Sequence, residues 1–428
     1  MKTTKKTAVF ILLSACLICV LCCTACTEGE NGKIRYISGT AEPTQLALVM
    51  NPVEKETPAP TAATSPTPAA TPEPTPTPRP TPAPTSQIEH TIASMTVEEK
   101  IGQLVMFGFS GTESVSSEFK NILRKYKIGN VILYGPNIDK DQSDGGFSRC
   151  RKLTDSLRSY CAVDIPLLIA IDVEGGDVIR FNWDRSLYSA SSLGKKNDTL
   201  LAERQFERIG EGLSAAGIDL DLAPVMDIAK DPDSTFLKNR IISSSAHVAS
   251  EIGAACIRGL HNSGCLSLVK HFPGHGATSS DSHKTTPVVK KTLEQLEEYE
   301  LIPFAAAVDA GTDGIMVGHL KYPNIDPDHI ASQSAFFISD LLRKEMGFEG
   351  IVMSDDFRMD GLRKENPLRK AAVNFILAGG DIILCGPNHT FQKEILEGLY
   401  EAYDTGVLTE ERIDESLMRI LTAKEKIG

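Results

Sequence analysis

From residue 88 onward, short runs of Val, Ile and Leu alternate with longer stretches in which apolar residues recur every three or four positions. The short runs lie at 104–109, 130–135, 166–172, 219–225, 265–270, 314–319, 350–355 and 381–385. Nearly continuous apolar character predicts strands buried on both faces, hence a parallel sheet covered by helices. Thr96-Val97-Glu98-Glu99 has the spacing of a capping box, and 200–216, 246–260 and 293–310 carry apolar stripes at helical spacing. Gly217, Gly264, Gly311, Gly347 and the pair Gly379-Gly380 follow helical stretches, where a left-handed C-cap favours glycine. Eight strand-then-helix units predict an α/β fold, a (β/α)8 barrel over 88–428. A doubly wound open sheet is the rival; neither GxGxxG nor GxxxxGK(S/T) is present, which weakens its nucleotide-binding form.

In such barrels the working residues gather at the C-terminal strand ends. Reading off those ends gives Asp172, Asp227, Lys270-His271, His319 and Asp355-Asp356, so ionisable groups from five strands are expected at one mouth. Alternation along a strand predicts that Asp356 points away from Asp355.

The first 87 residues follow a different pattern. Met1 to Lys6 carries three lysines, and Ala8 to Cys23 is uncharged and apolar, as in a secretory signal. Small residues precede Cys16 and Cys26, resembling bacterial lipoprotein cleavage boxes. Cys26 is favoured because it leaves the more usual signal length. This assigns 1–26 to a lipoprotein-type signal and predicts export, with a lipid anchor on the outer face of the bacterial cytoplasmic membrane. Residues 27–87 read as a spacer. Within it 57–86 holds eleven of the 24 prolines, interleaved with Thr and Ala. That composition favours polyproline II and could reach roughly 90 Å.

The formal net charge of −12 argues against a nucleic-acid partner. Of ten cysteines, five crowd into the signal. Cys150, Cys161, Cys256, Cys265 and Cys385 are scattered and odd in number, which excludes a fully paired disulfide framework.

The densest chemical signal is Val269-Lys270-His271-Phe272-Pro273-Gly274-His275-Gly276, followed by Asp281-Ser282-His283. The proline and glycines forbid a helix here. His271, His275 and His283 could be read as metal ligands, but no second cluster supplies matching geometry. A carboxylate beside an imidazole, as in Asp281-x-His283, suits general acid/base work. The second signal is Gly350-Ile351-Val352-Met353-Ser354-Asp355. A carboxylate at a strand end can act as a nucleophile at a sugar carbon.

Together with Asp172-Val173-Glu174-Gly175-Gly176, Arg180-Phe181 and Leu222-Ala223-Pro224-Val225-Met226-Asp227, these runs resemble glycoside hydrolase family 3. The likeness is to its bacterial β-N-acetylglucosaminidase branch, over about residues 90–428. It implies a retaining exo-β-N-acetylglucosaminidase with Asp355 as nucleophile, His283 as acid/base and Asp281 orienting it. Asp172, Arg180, Arg240, Lys270 and His271 would hold the hydroxyls of the terminal sugar. No metal or organic cofactor is implied. The substrates implied are GlcNAc-containing muropeptides or chitooligosaccharides, and phosphate instead of water is an open alternative as acceptor. Asp177, Ile241-Ile242-Ser243 and Arg358 depart from the family pattern and bear on aglycone preference. A family-3 β-glycosidase of different sugar choice, or a catalytically silent wall-binding lipoprotein, are the alternatives.

Overall fold

The computed structural model describes residues 87–428 apart from 162, 163, 184, 185, 279, 283 and 428. The signal segment, Cys16, Cys26, the proline-rich spacer and His283 therefore lie outside the described residues.

Ten strands are present among the described residues. They are β1 (Val105–Gly108), β2 (Asn130–Ile132), β3 (Leu168–Ile171), β4 (Leu220–Asp221), β5 (Leu266–Phe272), β6 (Gly314–Val317), β7 (Lys321–Tyr322), β8 (Asp326–Ile330), β9 (Ile351–Ser354) and β10 (Ile383–Cys385). Strands β7 and β8 form a separate antiparallel hairpin. The other eight are parallel, in the order β10-β1-β2-β3-β4-β5-β6-β9. Met353 and Ile382 bridge the two ends of that order, so the sheet curls into a barrel. Each of the eight apolar runs read from the sequence contains a barrel strand, and every residue of those strands is buried.

The helices form for the reasons that their sequences give. Thr96 closes a complete capping box over the helix Val97–Gln103. Thr199–Ala215 and Ala246–Asn262 pack side by side over the barrel, each with one buried face. Gly217, Gly264, Gly311, Gly347 and Gly379 all take positive φ just past helices.

Two elements depart from expectation. The run 219–225 gives a ladder of only two residues, because Pro224 has no N–H to donate. The chain rejoins the sheet through a single bridge between Val225 and Lys270. The expected helix over 293–310 is interrupted by a π turn at Leu296–Glu300. Pro303, one turn on, removes a donor from the helical ladder. The wider turn sets Glu300 against the loop after β5, where a Cβ on Gly274 would meet the Glu300 Cβ at 2.9 Å.

Asp381, just ahead of β10, is fully buried. It accepts from Arg343, from Arg419 at 3.1 Å, from the Ser416 hydroxyl at 2.8 Å and from the Val352 N–H at 2.8 Å. It thus ties the last strand to β9 and to the C-terminal helix Glu410–Lys424. Removing one partner of a buried ion pair leaves the others uncompensated. Asp381→Ala should cost about 3–5 kcal/mol, read as a lower urea midpoint at unchanged slope.

Candidate active site

The C-terminal ends of the strands frame a cavity of about 360 Å³. Asp172, Arg180, Arg240, Lys270, His271 and Asp355, six of the residues expected from the sequence, line it. Glu174, His275, Ser282, Tyr134, Asp356 and Arg358 line it too.

The organising feature is a chain of alternating charges. Arg180 Nη2 lies 3.3 Å from Asp172 Oδ2, and Asp172 Oδ1 accepts from Lys270 Nζ at 2.7 Å. The same ammonium reaches Glu174 Oε1 at 2.7 Å, and Glu174 accepts two bonds from Arg240 at 2.7 and 2.9 Å. Lys270 and Glu174 are both almost completely buried. Burial alone would raise the Glu174 and Asp172 carboxyls. Lys270, with Arg240 on one and Arg180 on the other, outweighs it and holds both below the usual carboxylate range. Burial would likewise lower the Lys270 ammonium; the two carboxylates raise it instead.

The local sequence explains how these groups meet. Asp172 and Glu174 follow the end of β3 two residues apart, in the chain that runs into the next turn. The chain then doubles back through Gly175 and Gly176, with the Glu174 N–H donating to Val178 O at 2.8 Å. Gly175 has φ +89°, and a Cβ there would meet Tyr188 O at 2.2 Å. The turn brings Arg180 back beside Asp172.

A second cluster hangs from Asp227. This carboxylate is fully buried and does not line the cavity, although its place at a strand end suggested that it would. It accepts from the backbone N–H groups of His271 at 3.0 Å and His275 at 2.5 Å. His271 Nδ1 lies 2.6 Å from it and donates to it. Burial would raise the Asp227 carboxyl, but the His271 imidazole outweighs this and lowers it. His275 Nε2 meets the Ser282 hydroxyl at 2.8 Å, while its buried Nδ1 has no hydrogen-bond partner. Burial, with the neighbouring His271, pushes the His275 imidazole down to about 4.

Two further expectations need correction. Asp356 does not turn away from Asp355; both line the cavity, because β9 ends at Ser354 and strand alternation no longer applies. His319 lies beneath the mouth, not in it, fully buried with Nδ1 2.8 Å from the Ser332 hydroxyl. Asp281 is not among the lining residues, although its neighbour Ser282 is. Its carboxylate stands 3.8 Å from Lys284 Nζ. His283 lies outside the described residues.

The departures from the family pattern are absorbed locally. Asp177 is exposed at the tip of the turn. Ile241 and Ile242 are buried in apolar clusters. Arg358 pairs with Asp356 through Nη2–Oδ2 at 2.7 Å. Glu174 was the functional group missed by reading strand ends, and its spacing from Asp172 was the available signal. Tyr134 carried no comparable signal; its role depends on the distant Asp356, whose Oδ2 accepts from its hydroxyl at 3.1 Å.

Residues 96–423 match the Glycosyl hydrolase family 3 N terminal domain, and the chain belongs to that family. A Beta-hexosaminidase A of Pseudoalteromonas piscicida is 28% identical over 78% of this chain and 62% of its own length. A Beta-hexosaminidase of Xylella fastidiosa (strain 9a5c) is 33% identical over 66% of this chain and 84% of its own. Among solved structures, the family 3 beta-N-acetylglucosaminidase from Paenibacillus sp. str. FPU-7 superposes with a TM-score of 0.73 at 34% identity. That match covers 78% of this chain and 63% of the other. The chain therefore spans under two thirds of the length of the Pseudoalteromonas and Paenibacillus proteins.

The Asp227 cluster sets a pH dependence of stability. An unfolded histidine takes up a proton near pH 6.5, whereas folded His275 does so only near 4. Between those values the unfolded chain binds more protons, so stability falls as pH drops from 6.5 towards 4. Thermal unfolding across this range should show a shallower fall in His275→Asn than in the unaltered protein.

Proposed function

We propose that this chain is a retaining exo-β-N-acetylglucosaminidase. The observation that carries the reading is the convergence of Asp355 and the Arg180–Asp172–Lys270–Glu174–Arg240 chain on one small cavity. Ligand sites of this kind typically measure ~300–1,000 Å³, so this one suits a single terminal sugar better than a long polymer. The names of the related proteins support a substrate with a terminal N-acetylhexosamine.

Asp355 attacks the anomeric carbon while His283 protonates the leaving oxygen, giving a covalent glycosyl-enzyme. His283 then takes a proton from water, which displaces Asp355. Asp281 orients the imidazole. Asp172 and Glu174, held ionised by their cations, accept hydrogen bonds from sugar hydroxyls, and Lys270, Arg180 and Arg240 donate.

The N-terminal signal, with Cys26 or Cys16 lipidated, and the proline-rich spacer support an envelope location. Muropeptides with a non-reducing GlcNAc are then the natural substrate class, with chitooligosaccharides second.

The protein should release p-nitrophenol from p-nitrophenyl β-GlcNAc and leave the corresponding β-glucoside largely untouched. Asp355→Asn should abolish turnover, and His283→Ala should lower kcat about 10²–10⁴-fold. Equal inactivity of all three proteins on this glycoside and on muropeptides would rule the proposal out.

A further inference from the structure

Asp355 is followed at once by a second carboxylate, and both line the cavity. Neighbouring carboxylates oppose each other's ionisation, whereas a carboxylate nucleophile must be ionised to attack. Asp356 is unusually well supplied with donors. Arg358 Nε and Nη2 reach its Oδ2 at 2.9 and 2.7 Å, and the Tyr134 hydroxyl does so at 3.1 Å. Its Oδ1 accepts from the backbone N–H groups of Arg358 at 3.0 Å and Gly386 at 3.1 Å. The guanidinium is wedged in place. Its carbon lies 5.4 Å from the centre of the Tyr134 ring. On another side, a Cβ on Gly386 would meet it at 2.2 Å. From this fixed residue the Asp356 N–H donates to Asp355 Oδ1 at 2.8 Å.

We propose that Arg358 is a positioning residue. By pairing with Asp356 it cancels the second carboxylate's charge and keeps Asp355 ionised. Its grip on residue 356 also aims the N–H that holds Asp355 Oδ1. This rests on the reading of Asp355 as the nucleophile.

Other titratable and charged groups of the described residues also face the cavity. Tyr134 at the end of β2 and Cys385 in β10 are raised by burial and stay neutral. His319 beyond β6 and His275 beyond β5 are lowered by burial and are neutral near pH 7. The Lys270 chain holds three cations and two carboxylates, so it brings one net positive charge to the same cavity, which His271 also lines, while Asp281 lies outside its lining. All of these groups remain unchanged in the variants below, so differences between variants report Arg358 and Asp356 alone.

The test titrates the carboxyl of Asp355 directly, by NMR on protein whose aspartates are labelled at the side-chain carboxyl carbon. The resonance missing from Asp355→Asn is the one to follow. In Arg358→Met its midpoint should rise by about one unit. In the D356N/R358M double variant it should return to the original value, and Arg358→Lys should stay close to it. Arg358→Gln replaces the Met variant should that fail to fold. The acid limb of kcat/KM on the aryl glycoside should move by the same amount as the carboxyl. An unmoved midpoint on removal of the guanidinium overturns the proposal. So does a midpoint that rises equally in the single and double variants. A midpoint that shifts as expected in a protein that cleaves no glycoside upholds the electrostatic role of Arg358 and sinks the glycosidase reading instead.

Discussion

A buried lysine ammonium held between two carboxylates, one buried and one mostly so, is the constraint on which the site depends. Taking such ions out of water costs several kcal/mol each, and only close, alternating partners offset it. Lys270 meets this demand with Asp172 and Glu174, and each carboxylate has a second cation in Arg180 or Arg240. Those five residues come from β5, from the chain after β3, from the turn beyond it and from the short helix Lys238–Arg240. None of these segments can shift without stranding a charge. The cavity wall is therefore fixed before any ligand arrives, which is what a site acting by positioning and electrostatics requires.

The two remaining parts of the site repeat this logic with one carboxylate each. Asp227 gathers two backbone N–H groups and an imidazole, and thereby sets the path of the chain from His271 to His275. Asp356 gathers a guanidinium, a phenol and two backbone N–H groups beside Asp355. In each case one carboxylate fixes the chain beside it.

Much of this was legible in the sequence. Each of the eight apolar runs contains a barrel strand, because continuous Val, Ile and Leu have no solvent face to offer in a sheet covered by helices. Asp172, Lys270, His271 and Asp355 reach the cavity because they stand where strands end. What was not legible depends on contacts between distant segments. That Asp227 serves His271 and His275 from below, or that Tyr134 meets Asp356, is set by barrel closure and not by local pattern. The rule of alternation misplaced Asp356, since it holds only while the strand continues. Pro224 and Pro303 show the opposite case: visible in the sequence, they explain where the ladder of β4 stops and where a helix widens.

The chain's single tryptophan, Trp183, stands three residues beyond Arg180. Its indole N–H donates to Ile179 O at 3.1 Å, and its ring sits edge-on to Phe147 and Phe181. The loop that carries one end of the charge chain thus also carries the molecule's only indole fluorophore. A shift of this loop that moves Ile179 and Phe181 with Arg180 changes the surroundings of that one ring, so the protein has an optical reporter of its own site built in.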